Sequence, residues 1–155
     1  MSSRPLSTAE RDLAAGLFGT AIDYEAVRIN HAKWWPLHPR DTTMAPDGHL
    51  WFHPQGDLYC DDFGCAPLHL QSHFIHEMTH VWQAQRKGRW YLPLMRHPFC
   101  RYAYALEPGK PFAAYGIEQQ AEIIRHAFLW RKGMCPTGAP ARELLEAVLP
   151  FKRQS

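Results

Sequence analysis

The stretch HFIHEMTHVWQ, from His73 to Gln83, restricts the fold more than any other part of the chain. Pro67 opens a helix, and the apolar spacing carries it to about Lys87. At about 100° per residue, His80 falls about 40° from His76, one turn along the same face, and Glu77 falls about 100° away, beside the pair. Phe74, Ile75, Met78, Val81 and Trp82 occupy the opposite side, roughly 140–260° from His76. Such a helix needs a core behind it and a cleft in front. Two imidazoles at this spacing can share one tetrahedral metal ion, and a glutamate beside them stands where a general base belongs. His73, one turn earlier, is expected to line the cleft. The competing reading leaves both histidines on a solvated helix face.

A catalytic zinc wants three protein ligands and one open position. The extended H-E-x-x-H-x-x-G-x-x-H pattern is excluded, because Gln83 stands at its glycine and Arg86 at its last histidine. GIEQQAEIIRHAF offers another source. On a helix from about Ile117 to Arg131, Glu118, Glu122 and Arg125 share one stripe, and Ile117, Ala121, Ile124 and Phe128 form a packing face. Two carboxylates four apart suit one metal ligand and one acid that fixes the tautomer of a ligand histidine. They also suit a solvated acidic face with an Arg125–Glu122 pair, and periodicity alone does not choose.

The remaining elements read as a small sheet and short helices. Ser7 and Glu10 make a capping box for a helix over roughly 7–19. Tyr24–His31 and His49–Pro54 alternate as strands, with Leu50 and Phe52 on one face and His49, Trp51 and His53 on the other. WWPLHPRDTTMAPDG and QGDLYCDDFGCA are loops, and Pro93 and Pro98 punctuate another. CRYAYALEPGKPFAAYG reads as a strand, a Pro-Gly turn and an extended return. A last helix covers 141–149. The expectation is one α+β domain over 1–155, with its core at about 20–133.

Composition narrows the function classes. A net charge of +2 and the absence of any known nucleic-acid motif argue against nucleic acid. No run approaches the ~20 apolar residues of a membrane span. The N-terminus is broken by Glu10, Arg11 and Asp12, so it does not read as a signal peptide; the expectation is synthesis in the cytosol and, if exported, a signal-independent machine. Cys60, Cys65, Cys100 and Cys135 form no C-x-x-C pair and are expected as free thiols, with Cys60 and Cys65 placed to bridge only in an oxidising compartment.

HEMTHVWQ followed by YGIEQQAEI resembles the gluzincin arrangement of zinc metallopeptidases. More narrowly, it resembles small bacterial proteins related to the Vgr/Rhs secretion systems, over roughly residues 42–130. The resemblance implies a minimal zincin-like fold, with Glu118 as third ligand beside His76 and His80, and Glu122 as the acid behind a ligand histidine. Glu122 stands where that group more often has aspartate. The implied chemistry is zinc-assisted hydrolysis of a peptide bond, with Glu77 as general base. Tyr102, Tyr104, Tyr115 and His126 are candidate donors to the oxyanion, and the strand at 49–53 is a candidate edge for an extended substrate. The implied partners are a peptide or protein substrate and a secretion-spike protein. Two alternatives stand beside this reading: a non-catalytic, zinc-stabilised interaction module of a spike or phage-tail-like assembly, and a hydrolase of peptidoglycan cross-links.

Overall fold

The computed structural model describes residues 2–97 and 99–151. Its elements are β1 Ser2–Pro5, α1 Thr8–Phe18, β2 Arg28–His31, β3 Thr43–Met44, β4 Leu50–Phe52, α2 Leu68–Lys87, α3 Tyr91–Met95, α4 Ile117–Arg131 and α5 Arg142–Val148. The strands form one mixed sheet in the order β1-β2-β4-β3. β1 runs antiparallel to β2, β2 parallel to β4, and β3 antiparallel to β4, with Thr43 opposite Phe52. This is an α+β arrangement.

Alternation along β4 explains how the sheet seats α2. Leu50 and Phe52 are buried, and Phe52 stacks on Phe63 at 5.3 Å between ring centroids. Phe63 stacks in turn on Phe74 of α2 at 5.1 Å. The apolar back of α2 is fully enclosed: Phe74, Ile75, Met78 and Val81 have no exposed surface. Ala121, Ile123, Ile124 and Ala127 of α4 are equally enclosed. The two helices therefore pack on each other through complementary apolar stripes. Gly88, at φ 92°, ends α2 with its N–H on the Ala84 carbonyl.

The N-terminal segment is tied in by one buried carboxylate. Glu10 closes the expected capping box, accepting from the Ser7 N–H at 2.8 Å while Ser7 Oγ accepts from the Glu10 N–H at 3.0 Å. It also accepts from both terminal nitrogens of Arg4 at 2.9 Å and from the Phe63 N–H at 2.9 Å. One side chain thus holds β1, α1 and the 63–65 turn together. The closeness is visible at Gly64, where a Cβ would meet the Ala9 Cβ at 2.3 Å.

Several sequence expectations are corrected. The first strand is shorter than expected, since Tyr24–Ala26 is a 3-10 turn and only Arg28–His31 pairs. β4 is likewise trimmed to Leu50–Phe52, and it lies inside the sheet, not at its edge. The strand and return expected over 100–116 are absent. That backbone is satisfied by side chains instead: Gln119 donates to the Ala103 carbonyl, and Tyr115 Oη accepts from the Glu107 N–H. Pro108 and Pro111 also remove two ladder donors. Conversely, β1, β3 and α3 form where no element was expected. Pro93 is compatible with α3 because it sits in the first turn, where its missing N–H needs no partner. Pro98 lies outside the described residues.

Glu10→Ala removes all four acceptor contacts of a buried carboxylate, including both that hold the Arg4 guanidinium. We expect a loss of ~2–4 kcal/mol, read as a lower urea midpoint at unchanged slope. A midpoint shift within the scatter of surface substitutions contradicts this role for Glu10.

Candidate metal centre

The packing of α2 on α4 brings three side chains to one point. His76 and His80 face Glu118, from the first turn of α4, and all three are buried. The Nε2 atoms of His76 and His80 each lie 3.1 Å from Glu118 Oε2. One ligand atom from each residue lies within 4.8 Å of the other two, so the group could hold a metal ion. The ring planes cross at 76°, so the two imidazoles approach a common centre from different directions.

The outer ring nitrogens support the same reading. His80 Nδ1 lies 2.8 Å from Gln83 Oε1, which can only accept, so Nδ1 carries a proton and Nε2 is the atom turned to the centre. Gln83 is itself pinned, donating to the Ile117 carbonyl at 3.0 Å and to Gln120 Oε1 at 2.9 Å. Gln120 then donates to the Tyr115 carbonyl at 2.9 Å. His76 Nδ1 meets Glu122 Oε2 at 3.3 Å, and Arg125 grips the same carboxylate through Nε and, at 3.1 Å, through a terminal nitrogen. Both histidines are thus oriented by carbonyl or carboxylate oxygens behind them, as metal-ligating imidazoles usually are. A donor set of two neutral imidazoles and one carboxylate suits zinc.

Charge follows from these contacts. Burial works against a charged His76, but hydrogen bonds to Glu118 and Glu122 outweigh it and hold the metal-free imidazolium up to about 9. Burial alone would raise the Glu118 carboxyl; its bonds to His76 and His80 pull it far below the usual carboxylate range. Glu122 is lowered in the same way, against burial, by His76 and Arg125.

His76, His80 and Glu118 open onto a cleft of about 510 Å³. Glu77 lies in it beside the ligands, 6% exposed. Among the described residues it accepts no hydrogen bond, and His73 Nε2 lies 3.9 Å from its carboxylate. His73 itself is no ligand: its Nε2 contacts Thr43 Oγ1 of β3 at 2.7 Å, and burial lowers its pKa. Of the four candidate oxyanion donors, Tyr102 alone lines this cleft, its ring 6.0 Å from that of His76 and near-parallel to it. Burial and then Glu118 raise the Tyr102 pKa, keeping its O–H available to donate. Tyr104 and His126 bond each other at 2.6 Å in a separate pocket behind Glu122. Tyr115 accepts from the Glu107 N–H, away from the cleft. Trp51 and His53 do not line this cleft; Trp51 donates to Asp47. Gln83, Gln120 and Arg96 were not anticipated. Gln83 entered the sequence argument only as the residue that breaks the extended-histidine pattern, and Arg96 sits in a loop without periodicity.

Gln83→Leu keeps the shape behind His80 but removes its acceptor, and Glu122→Ala does the same behind His76. Each is expected to weaken metal binding by ~10–100-fold. Competition with a chromogenic chelator measures this, and unchanged affinity in both variants contradicts the orienting role. Loading must also expel the His76 proton, which the raised pKa keeps in place at neutral pH. Uptake at pH 7.5 should therefore release ~1 proton per ion, and affinity should rise as the pH climbs toward 9. Calorimetric heats that do not vary with buffer ionisation enthalpy contradict this.

The chain matches no protein-family model. Over 148 residues, 91% of its length, it is 39% identical to the type VI secretion system spike protein VgrG2b of Pseudomonas aeruginosa. It spans only 14% of that protein. Its structure is similar to that of the effector domain of Pseudomonas aeruginosa VgrG2b, with a TM-score of 0.72 and 38% identity. That match covers 84% of this chain and 76% of the solved domain. At that identity and coverage, the chain belongs to the family of the VgrG2b effector domain.

Proposed function

We propose that this chain is a zinc-dependent metallopeptidase of gluzincin type, acting as a secretion-associated effector. The observation that carries the reading is Glu77. Its carboxylate accepts no hydrogen bond among the described residues and opens into the cleft, and a purely structural metal staple has no use for it. Beside three convergent ligand atoms it stands where a base for water belongs.

His76, His80 and Glu118 would hold the ion. Zinc bound there supplies Lewis acidity, polarising a carbonyl and making water acidic enough to attack near neutral pH. The chain's own residues do the rest. Glu122 and Gln83 keep the ligand imidazoles aimed from behind. Glu77 takes a proton from water on its carboxylate and returns it to the leaving amine. Tyr102 is the donor placed to meet the developing negative oxygen, with the Arg96 guanidinium on the same wall. β3 lies at the edge of the sheet and carries Thr43 into the cleft, so an extended peptide would pair there and not along β4. The kinship with part of a spike protein supports delivery by, and association with, a secretion spike.

Glu77→Gln should keep one equivalent of zinc and lose ~10²–10⁴-fold in turnover. His76→Ala should lose the zinc. Metal analysis and hydrolysis of a panel of proteins and peptidoglycan read both. Wild-type turnover by Glu77→Gln would refute the catalytic role, and substoichiometric zinc indifferent to His76→Ala would refute the metal.

A further inference from the structure

Ten large hydrophobic side chains are exposed among the described residues, and eight of them fall in two segments, 34–37 and 90–102. Trp34, Trp35 and Leu37 make up the first group. Trp90, Leu94, Met95, Phe99 and Tyr102 make up the second, with Leu94 82% and Phe99 84% exposed. The segments meet. A pocket of about 200 Å³ is lined by Trp34 together with Leu92, Pro93 and Arg96, and His80 and Glu118 line it too. Arg96 and Tyr102 continue directly into the main cleft. The apolar patch is therefore one rim of the metal cleft and not a scatter of isolated residues, which would need no explanation.

Its local cause is α3. Leu92 turns inward to a small cluster with Ala84 and Ile117, which pins this short helix to the end of α2 and the start of α4. Leu94 and Met95, on the same short helix, then face outward with no core to enter. Charge decides what would cover them. From Met78 to Leu106 the chain has no Asp or Glu, but it carries Arg86, Lys87, Arg89, Arg96 and Arg101. The Arg89 guanidinium lies 4.9 Å from the Trp90 ring centroid, so cation and aromatic share one surface.

We propose that this rim is an interfacial binding surface for an anionic lipid bilayer. Trp, Leu, Met and Phe would enter the headgroup boundary while the arginines remain at phosphate level. A folded protein partner is matched by charges of both signs that fix register, whereas one-signed charge interleaved with aromatics matches a surface of uniform negative charge. Binding in this way sets the mouth of the cleft, at Arg96 and Tyr102, against the membrane.

The test uses the full chain with vesicles of phosphatidylglycerol mixed into phosphatidylcholine, against pure phosphatidylcholine. We expect cosedimentation with the anionic vesicles only, weakened by salt. Trp90→Ser combined with Leu94→Ser, and separately Arg89→Glu combined with Arg101→Glu, should each reduce partitioning by about tenfold or more. All four positions are outside the metal site, so circular dichroism and zinc content should stay at wild-type values. Failure to bind anionic vesicles overturns the proposal, as does equal binding to both vesicle types or by both variants. Loss of binding accompanied by loss of fold in one variant leaves the other to decide. Saturable capture by a purified spike protein that competes with the vesicles would reassign the rim to a protein partner and equally overturn it.

Discussion

The charged oxygen of Glu118, sealed at 2% exposure between two imidazoles, is the contact on which the rest is organised. A carboxylate cannot be buried alone at tolerable cost, so α4 must present it where α2 presents partners. That requirement fixes the register of two helices whose apolar stripes would otherwise permit some sliding. The polar contacts around it serve the same register. Gln83 of α2 reaches both the Ile117 carbonyl and Gln120 of α4, and Arg125 locks Glu122 behind His76. The interface is thus apolar at its back and fully hydrogen-bonded at its front, with no buried side-chain polar atom left unpaired among the described residues.

Much of this was legible because helices write their faces into the sequence at a fixed period. The spacing of His76, Glu77 and His80 against Phe74, Ile75, Met78 and Val81 defines α2 from both sides. Glu118 and Glu122 stand apart from Ala121, Ile124 and Phe128 for the same reason. Periodicity could not say which glutamate faces which histidine, since both lie on one stripe; that depends on how two helices cross. The short strands were less legible. β3 is two residues long and β1 is polar, so neither shows alternation, and both exist because a neighbouring strand offers unpaired backbone groups. The 100–116 segment misled for the opposite reason: its aromatic residues look strand-like, but their side chains and Gln119 take over the backbone's hydrogen bonds.

The cleft lies between one rigid wall and one that lacks regular structure. On one side, β3 is paired to β4, and Thr43 is tied to His73. Across from it, Arg96 and Tyr102 come from a stretch whose only regular element among the described residues is the five-residue α3. The side chains that could hold a metal, and Glu77, are therefore carried by α2 and α4, while the other wall is largely loop. Sites built on helices hold geometry better than sites built on loops, and this one divides the two duties between its walls.

The capping box of α1 has a wider reach than a helix start. Because Glu10 also receives Arg4 and the Phe63 N–H, residues 2–10 act as a clasp over the loop that leads into α2. The 58–70 stretch beneath that clasp supplies Leu58, His69 and Leu70 to the floor of the cleft. Any excision or fusion that recasts the segment before Thr8 would therefore act on the cleft through this loop. A linker joined at Ser2 is continuous with the sheet, so its stiffness would be transmitted to the domain and not absorbed by a slack tail.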